Sequence, residues 1–406
     1  MAQMAVSPRR STQAGPKGIY DKDVQAVIWQ VVVLSIVAGI GYYLYSNMQY
    51  NLQTRQIKTG YDFLGTEAGF GIGEAWVAYS PASSYAHALF VGFLNTIAVA
   101  LLGVVAATIL GISVGVATLS RNWLVAKLTG SYIHFLRNIP VLLQIILWHT
   151  LITNERFLPL PRDFNAENST LSPILGQLYV TRRGLFFPWP DPHWGWGIAG
   201  IGLIIGLLAA WLISRWATAR RELTGEPFPA FWTGVGAVIA CIIVGWILGG
   251  APTGISMPSI GRFQVSGGAT ITPEFMAVLF GLTVYTSAFI ADIVRSGILS
   301  VSKGQIEAGR ALGLRESIIM RKVILPQALR VIIPPLTSQY LNLTKNSSLA
   351  VAVGYPDLVN IGNTTMNQTG QAPELIMIMM AVYLTISICT ALFMNWYNTQ
   401  IQLVER

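Results

Sequence analysis

In a chain this apolar, side chains able to form directed hydrogen bonds stand out. Residues 331 to 348 crowd Gln339, Asn342, Thr344, Asn346, Ser347 and Ser348 behind Pro334 and Pro335. Several lie three or four residues apart, so a helix would stack them on one face. Amides and hydroxyls can replace the water shell of a zwitterionic solute, and internal proline frees backbone carbonyls for the same use. Small polar residues can equally bond between packed helices, and the spacing leaves both readings open. A second set, Arg137 and Gln144, sits on an earlier apolar run. Arg137 is expected to snorkel to the membrane surface, and Asp292 and Arg295, three residues apart, to pair with each other.

Other chemistry finds little support. His87, His134, His149 and His193 have no spacing that brings two imidazoles to one helical face. Cys241 and Cys389 lie in apolar runs and are expected to be buried packing residues. No metal site, catalytic residue or cofactor of the chain's own follows. A membrane enzyme working at the outer loops would need clustered His, Asp or Ser, and Asp163, Asp191 and His193 have no recognisable spacing. A secondary transporter would need coupling carboxylates in mid-helix, where Asp292 is a poor candidate.

The elements that must position these residues follow from composition. Only 11 % of the 406 residues are charged while 53 % are hydrophobic, against ~25 % charged in a soluble domain. Mean hydropathy is +0.53, so lipid is the expected solvent. The net charge of +8 is spread between apolar runs and forms no basic face for nucleic acid. Stretches near the ~20 residues that cross hydrocarbon predict an all-α membrane protein of about eight helices: 27 to 45, 86 to 119, 128 to 152, 194 to 214, 231 to 250, 275 to 299, 328 to 345 and 373 to 396. Basic residues concentrate in alternate loops, at Arg9, Arg10, Lys17, Lys22, Arg121, Lys127, Arg215, Arg220, Arg221 and between Lys303 and Lys322. Positive loops stay inside, which predicts that both termini are cytoplasmic. The N-terminal helix, with no small-residue cleavage site after it, reads as an uncleaved anchor.

The organisation expected is a cytoplasmic segment 1–26, a helix 27–45, an outer loop 46–85, a first core part 86–155, an insertion 156–273 with two helices and long outer loops, a second core part 274–396 and a cytoplasmic end 397–406. Within the second core part, the loop 300–326 has the grammar of two short helices. Ser302 and Gln305 form an S-x-x-Q capping box, Gly313 is placed to end the first helix in a left-handed conformation, and Pro326 can open the next. Spacing alone leaves a plain connecting loop as good a reading as any other.

Residues Glu307, Ala308, Gly309, then Gly313, Leu325 and Pro326 resemble the pattern E-A-A, three residues, G, nine residues, I, one residue, L-P of permease subunits of bacterial ATP-binding-cassette (ABC) importers. Gly309 replaces an Ala and Val323 the Ile. Three further runs resemble the polar amino-acid uptake branch: FVGFLNT at 90–96, with Gly92 and Thr96; Arg137, Pro140 and Gln144 as R-x-x-P-x-x-x-Q; and the turn Lys345, Asn346, Ser347, Ser348, Leu349. The likeness covers about 86–155 and 274–396.

What this resemblance implies is a five-helix type I importer core, to which the N-terminal helix and the inserted pair are extra. It implies a coupling helix that docks on a cytoplasmic ATPase, with Ala308 and Gly309 permitting close approach and Glu307 pairing with Arg310 or a partner. The implied partners are a paralogous permease forming a heterodimer, a homodimeric ABC ATPase carrying ATP and Mg, and a periplasmic amino-acid-binding protein, all at the bacterial inner membrane. The chain has no G-x-x-x-x-G-K-[ST] phosphate loop, so the resemblance makes it non-catalytic. Its insertion resembles the larger permeases for acidic and amide amino acids or for L-amino acids generally. Gln144, Asn342, Thr344, Asn346 and Ser347 are its expected substrate pathway.

Overall fold

The computed structural model describes residues 22–54, 59–165, 173–174, 177–261 and 265–401. Arg9, Arg10, Lys17, Arg55, Lys58, Arg262 and Arg406 lie outside them, as do the first 21 and last five residues of the expected cytoplasmic ends. Twelve helices are present among the described residues: α1 (Lys22–Thr54), α2 (Tyr85–Ala117), α3 (Trp123–Arg137), α4 (Val141–Thr153), α5 (Gly195–Thr224), α6 (Ala230–Leu248), α7 (Pro273–Leu299), α8 (Lys303–Ala311), α9 (Glu316–Ile319), α10 (Leu325–Asn346), α11 (Leu358–Thr369) and α12 (Ala372–Ile401). Helix starts carry the residues their exposed N–H groups need. Ser84 accepts from His87 N, Asn122 from Leu124 N and Val125 N, Thr272 from Phe275 N ahead of Pro273, and Asp357 from Asn360 N.

Six of these helices, α1, α2, α5, α6, α7 and α12, are long and apolar enough to cross a membrane, and the pair α3 and α4, bent by 105°, makes a seventh. The sequence predicted about eight. The difference is α10, which has the length but carries too many polar residues to pass on apolarity. Two predicted boundaries also move. The third span is not one rod but two helices, and α5 runs on from the predicted 214 to Thr224, where Gly225 (φ 74°) ends it.

α7 is the centre of the core. Its buried positions meet α2, α4 and α10 around a cluster that includes Val99, Ile145, Leu282, Ile290, Ile332 and Leu343. Backbone proximity makes this possible, because apolar side chains gain little by leaving lipid and helices associate through close contact. A Cβ on Gly111 would lie 2.6 Å from Ile290 Cβ, and one on Gly281 would lie 2.7 Å from Ile145 Cγ1. α1 instead exposes its apolar side chains over almost its whole length. α5 and α6 pack on each other as a hairpin, and beyond its far end short strands, β1 (Tyr179–Thr181), β2 (Gly184–Phe187) and β3 (Ala269–Ile271), form an antiparallel sheet.

The loop before α2 folds down over the core. Trp76 meets Phe275 edge-on, Asn95 Nδ2 donates to Glu74 O at 2.9 Å, and the Thr272 hydroxyl donates to Glu74 Oε2 at 2.5 Å. Burial pushes the Glu74 carboxyl above its ordinary value, against the lowering effect of that hydrogen bond. The cysteine expectation is corrected: Cys241 is half-buried between α5 and α6 and Cys389 is exposed on α12, since apolar runs in this protein face lipid as often as core. Replacing Gly111 by Val should lower the detergent-solubilised protein's stability by about 1–3 kcal/mol through overpacking, while Gly39→Val in α1, with nothing within 4 Å of its Cβ, should leave the thermal midpoint unmoved.

Candidate coupling loop and translocation face

The loop between α7 and α10 is a closed structural unit. α8 starts after Ser302 in extended conformation, but the Ser302 side chain caps nothing, so the predicted capping box does not form. Gly313 (φ 70°) ends the helix as expected, with Leu314 N donating to Gly309 O at 3.2 Å. The predicted Glu307–Arg310 pair is also corrected. Arg310 reaches forward to Glu316, with Nε at 2.7 Å from Oε1 and Nη2 at 3.3 Å from Oε2, because the Gly313 turn folds α9 back against α8. This two-pronged bond raises the guanidinium and lowers the Glu316 carboxyl from their ordinary values.

Gly309 faces inward. It is buried under Ile319, whose Cγ1 would lie 3.1 Å from a Cβ there, so its smallness lets α9 close onto α8 rather than admitting an outside surface. The face left open is Glu307, Ala308, Leu312 and Gly313, with Leu312 78 % exposed. α9 passes into α10 through a π turn, Met320–Ile324, in which Leu325 N donates to Met320 O. Leu325 and Pro326 then occupy the first turn of α10, where proline's missing N–H leaves nothing unmade.

α10 continues unbroken through Pro334 and Pro335 to Asn346. The break comes later, in the 3-10 turn Ser347–Val353 and at Gly354 (φ 79°). One face of α10, with Ile332, Ile333, Leu336 and Leu343, is buried in the core; the opposite face exposes Pro334, Pro335, Ser338, Asn342 and Lys345. Leu343 packs where a Cβ on Gly103, near the midpoint of α2, would meet it at 3.2 Å. The polar stripe therefore stands at the middle of the bundle.

The other sequence-predicted site residues separate accordingly. Asn342 is open and Asn346 half-buried. Thr344 and Ser347 are buried, and each hydroxyl donates to the carbonyl one turn back, Tyr340 O at 2.9 Å and Thr344 O at 2.7 Å. Gln144 is buried too. Its Nε2 donates to Leu136 O at 3.0 Å and Ile139 O at 3.1 Å; at the Pro140 bend Leu136 O otherwise takes a long bond from Ile139 N at 3.4 Å. Asp292 does not pair with Arg295: Arg137 and Asp292 form an ion pair between α3 and α7, with the guanidinium 5.0 Å from the Phe289 ring centre. The R-x-x-P-x-x-x-Q run is thus a device for bending a span and fixing it to α7.

Sequence reasoning missed Asn95 and Asp357. Asn95 Nδ2 donates to Pro356 O at 2.8 Å, Thr96 Oγ1 accepts from Leu358 N at 3.1 Å, and Asp357 takes Asn360 N and the Tyr383 hydroxyl. Together they seat the start of α11 on α2. The signal was an Asn-Thr pair in an apolar helix and an Asp opening a helix, with nothing local to link them. An apolar groove of about 660 Å³, lined by Phe93, Tyr340, Cys389 and Phe393 among others, has no charge to hold a zwitterion. Among the described residues no three His, Cys, Asp or Glu could hold a metal ion. His193 Nδ1 accepts from Gly195 N and Asp163 Oδ2 from Leu160 N, while Asp191 accepts from Trp196 Nε1 through its backbone carbonyl.

Comparison with known proteins decides what this arrangement belongs to. Residues 228–402 match the family described as binding-protein-dependent transport system inner membrane component. The chain is 44 % identical over 388 residues to the general L-amino acid transport system permease protein AapQ of Rhizobium johnstonii, covering 96 % of this chain and 95 % of that one. It belongs to the amino-acid permease subunits of ABC transporters. It is also 39 % identical over 413 residues to the glutamate/glutamine/aspartate/asparagine transport system permease protein BztB of Rhodobacter capsulatus, covering 96 % of each chain. A solved amino acid ABC transporter with histidines matches at 18 % identity and a TM-score of 0.44, over 78 % of this chain and 95 % of that one, a value too low to carry details across. As a permease subunit the chain is non-catalytic, and ATP hydrolysis resides on a separate subunit.

Gln144→Leu should cost the permease about 1–3 kcal/mol by leaving Ile139 O without its donor and Leu136 O with the long bond from Ile139 N at 3.4 Å. The check is a thermal melt in which Asn342→Ala, at an exposed position, behaves as wild type.

Proposed function

We infer that this permease forms one half of an inward path for polar L-amino acids, from glutamate, glutamine, aspartate and asparagine to a broader range. The names of its relatives support that substrate class. The observation that carries the reading is the α10 stripe of Ser338, Asn342 and Lys345, which leaves the folded chain at mid-bundle. Polar and charged groups cannot be left facing hydrocarbon there, since a Lys at the centre costs about 2.5–3.5 kcal/mol or more. They require a second permease chain and a hydrated path between the two. Asn342 and Asn346 are the side chains of the original set that reach this side, and they hydrogen-bond the substrate as it passes. Gln144, Thr344 and Ser347 hold the walls.

The paralogous permease supplies the facing half, a periplasmic binding protein delivers substrate, and a homodimeric ATPase with ATP and Mg drives alternating access from the cytoplasmic side of the inner membrane, where both termini lie. The open face of α8, with Glu307, Ala308 and Leu312, enters the ATPase groove. Ion pairing of Arg310 with Glu316 keeps α8 and α9 moving together, and the π turn passes that movement to α10. An outer-loop enzyme finds no support, because His193 Nδ1 and Asp163 Oδ2 are taken up in local hydrogen bonds. A coupling carboxylate for secondary transport finds none either, because Asp292 is paired.

Leu312→Asp should release the ATPase on purification of the complex, because it puts a charge into an apolar contact, while the permease stays folded. Retained ATPase with full coupled hydrolysis would remove α8 as the docking helix. In reconstituted vesicles, Asn342→Ala should slow amino-acid uptake by about tenfold, the loss of one or two hydrogen bonds; uptake at the wild-type rate would exclude it from the path.

A further inference from the structure

The inserted hairpin has a function of its own to explain, since α5 and α6 pack chiefly on each other. α5 rises about 30 Å between Gly195 and Arg215, the thickness of the hydrocarbon core. With Trp194 and Trp196 exposed at its first end, Arg215 arrives at the headgroup level of the other. Aromatic side chains gather at this end of the hairpin, Trp211 against Arg215 and Trp216 and Phe228 against Arg220, and Trp is a residue of the membrane interface.

Two hollows meet at this level. An open cleft of about 400 Å³ is lined by Trp211, Ser214, Arg215, Thr218, Ala219 and Glu222. An apolar groove of about 470 Å³ runs from it between the helices, along Leu207, Ala210, Phe231, Val235 and Ile239, and shares Ser214 with the cleft. The Arg215 guanidinium stacks 4.5 Å from the Trp211 ring centre. It has no carboxylate partner among the described residues, whereas Arg220 is held by Glu226 at 3.3 Å. The cleft thus presents a free cation, the Ser214 hydroxyl and, two turns on, a free carboxylate at Glu222, while the Thr218 hydroxyl is spent on Ser214 O at 3.0 Å.

We propose that the hairpin binds one phospholipid whose headgroup carries both a phosphate and a primary ammonium. The phosphate sits against Arg215 and Ser214, the ammonium against Glu222, and an acyl chain in the groove. A cleft with charges of both signs matches a zwitterionic amino-phospholipid better than a purely anionic one, which Glu222 would repel. The continuous apolar groove sets a lipid apart from free phosphate. By this reading the insertion is a lipid-anchored outrigger on the permease core.

The test is native mass spectrometry of the permease, purified in mild detergent with its co-purifying subunits, delipidated and titrated with phosphatidylethanolamine, phosphatidylcholine or phosphatidylglycerol. Wild type should retain phosphatidylethanolamine in preference to the other two. Arg215→Gln should weaken retention about tenfold or more, the loss of a charge-assisted bond, and Arg215→Lys should restore most of it, since lysine also binds phosphate. Glu222→Gln should reduce phosphatidylethanolamine to the level of phosphatidylcholine, whose ammonium has no N–H. Arg220→Gln should change nothing. Equal retention of the three lipids by wild type, or unchanged retention by Arg215→Gln and Glu222→Gln, overturns the proposal. So does loss of a co-purifying subunit from Arg215→Gln with lipid retention intact, which would make the cleft a protein contact.

Discussion

A peptide group in hydrocarbon has no water to bond, so every break in a membrane helix must be mended from within the protein. This constraint shapes the permease most visibly. Its two broken elements, α3 with α4 and α10 with α11, are where buried polar side chains gather. At the first break Pro140 turns the chain and Gln144 supplies donors to Leu136 and Ile139. At the second, Asn95 and Thr96 on α2 take up Pro356 O and Leu358 N. Residues that look from their chemistry like solute ligands are, in most cases, the repair.

Once the breaks are mended, close helix contact does the rest. Glycines on α2 and α7 bring the backbones near enough for dispersion to act over a long interface, and the core can remain continuous around a helix as polar as α10. Only one side of α10 is needed for that packing. Its other side is free to carry Ser338, Asn342 and Lys345, and that asymmetry turns a structural helix into a wall of a path. The same economy holds at the cytoplasmic loop. Gly309 and the Arg310–Glu316 pair close α8 onto α9, leaving Leu312 and its neighbours as an outward face on a rigid support.

The insertion obeys a different balance. It brings its own glycine-mediated contact between α5 and α6 and its own short sheets, so it needs little from the core. Within its two helices the charged residues, Arg215, Arg220, Arg221 and Glu222, are confined to one end, where the length of α5 meets the far membrane surface.

By itself the sequence determined a good deal. Low charge and long apolar runs pointed to a helical membrane protein, because uninterrupted apolar runs near 20 residues suit a helix across hydrocarbon and not the alternating pattern of a barrel strand. Gly313 marked the end of α8 through its left-handed backbone, Pro326 lay in the first turn of α10, and the spaced residues from Glu307 to Pro326 carried the family likeness. What only the tertiary structure decided was which partner each polar group takes. Arg310 chose Glu316 over Glu307, Arg137 chose Asp292, and Gln144, Thr344 and Ser347 turned inward while Asn342 stayed open. Hydrogen bonds and ion pairs depend on distances of about 3 Å, set by helices far apart in the chain, and periodicity along one helix cannot reveal which neighbour its faces will meet.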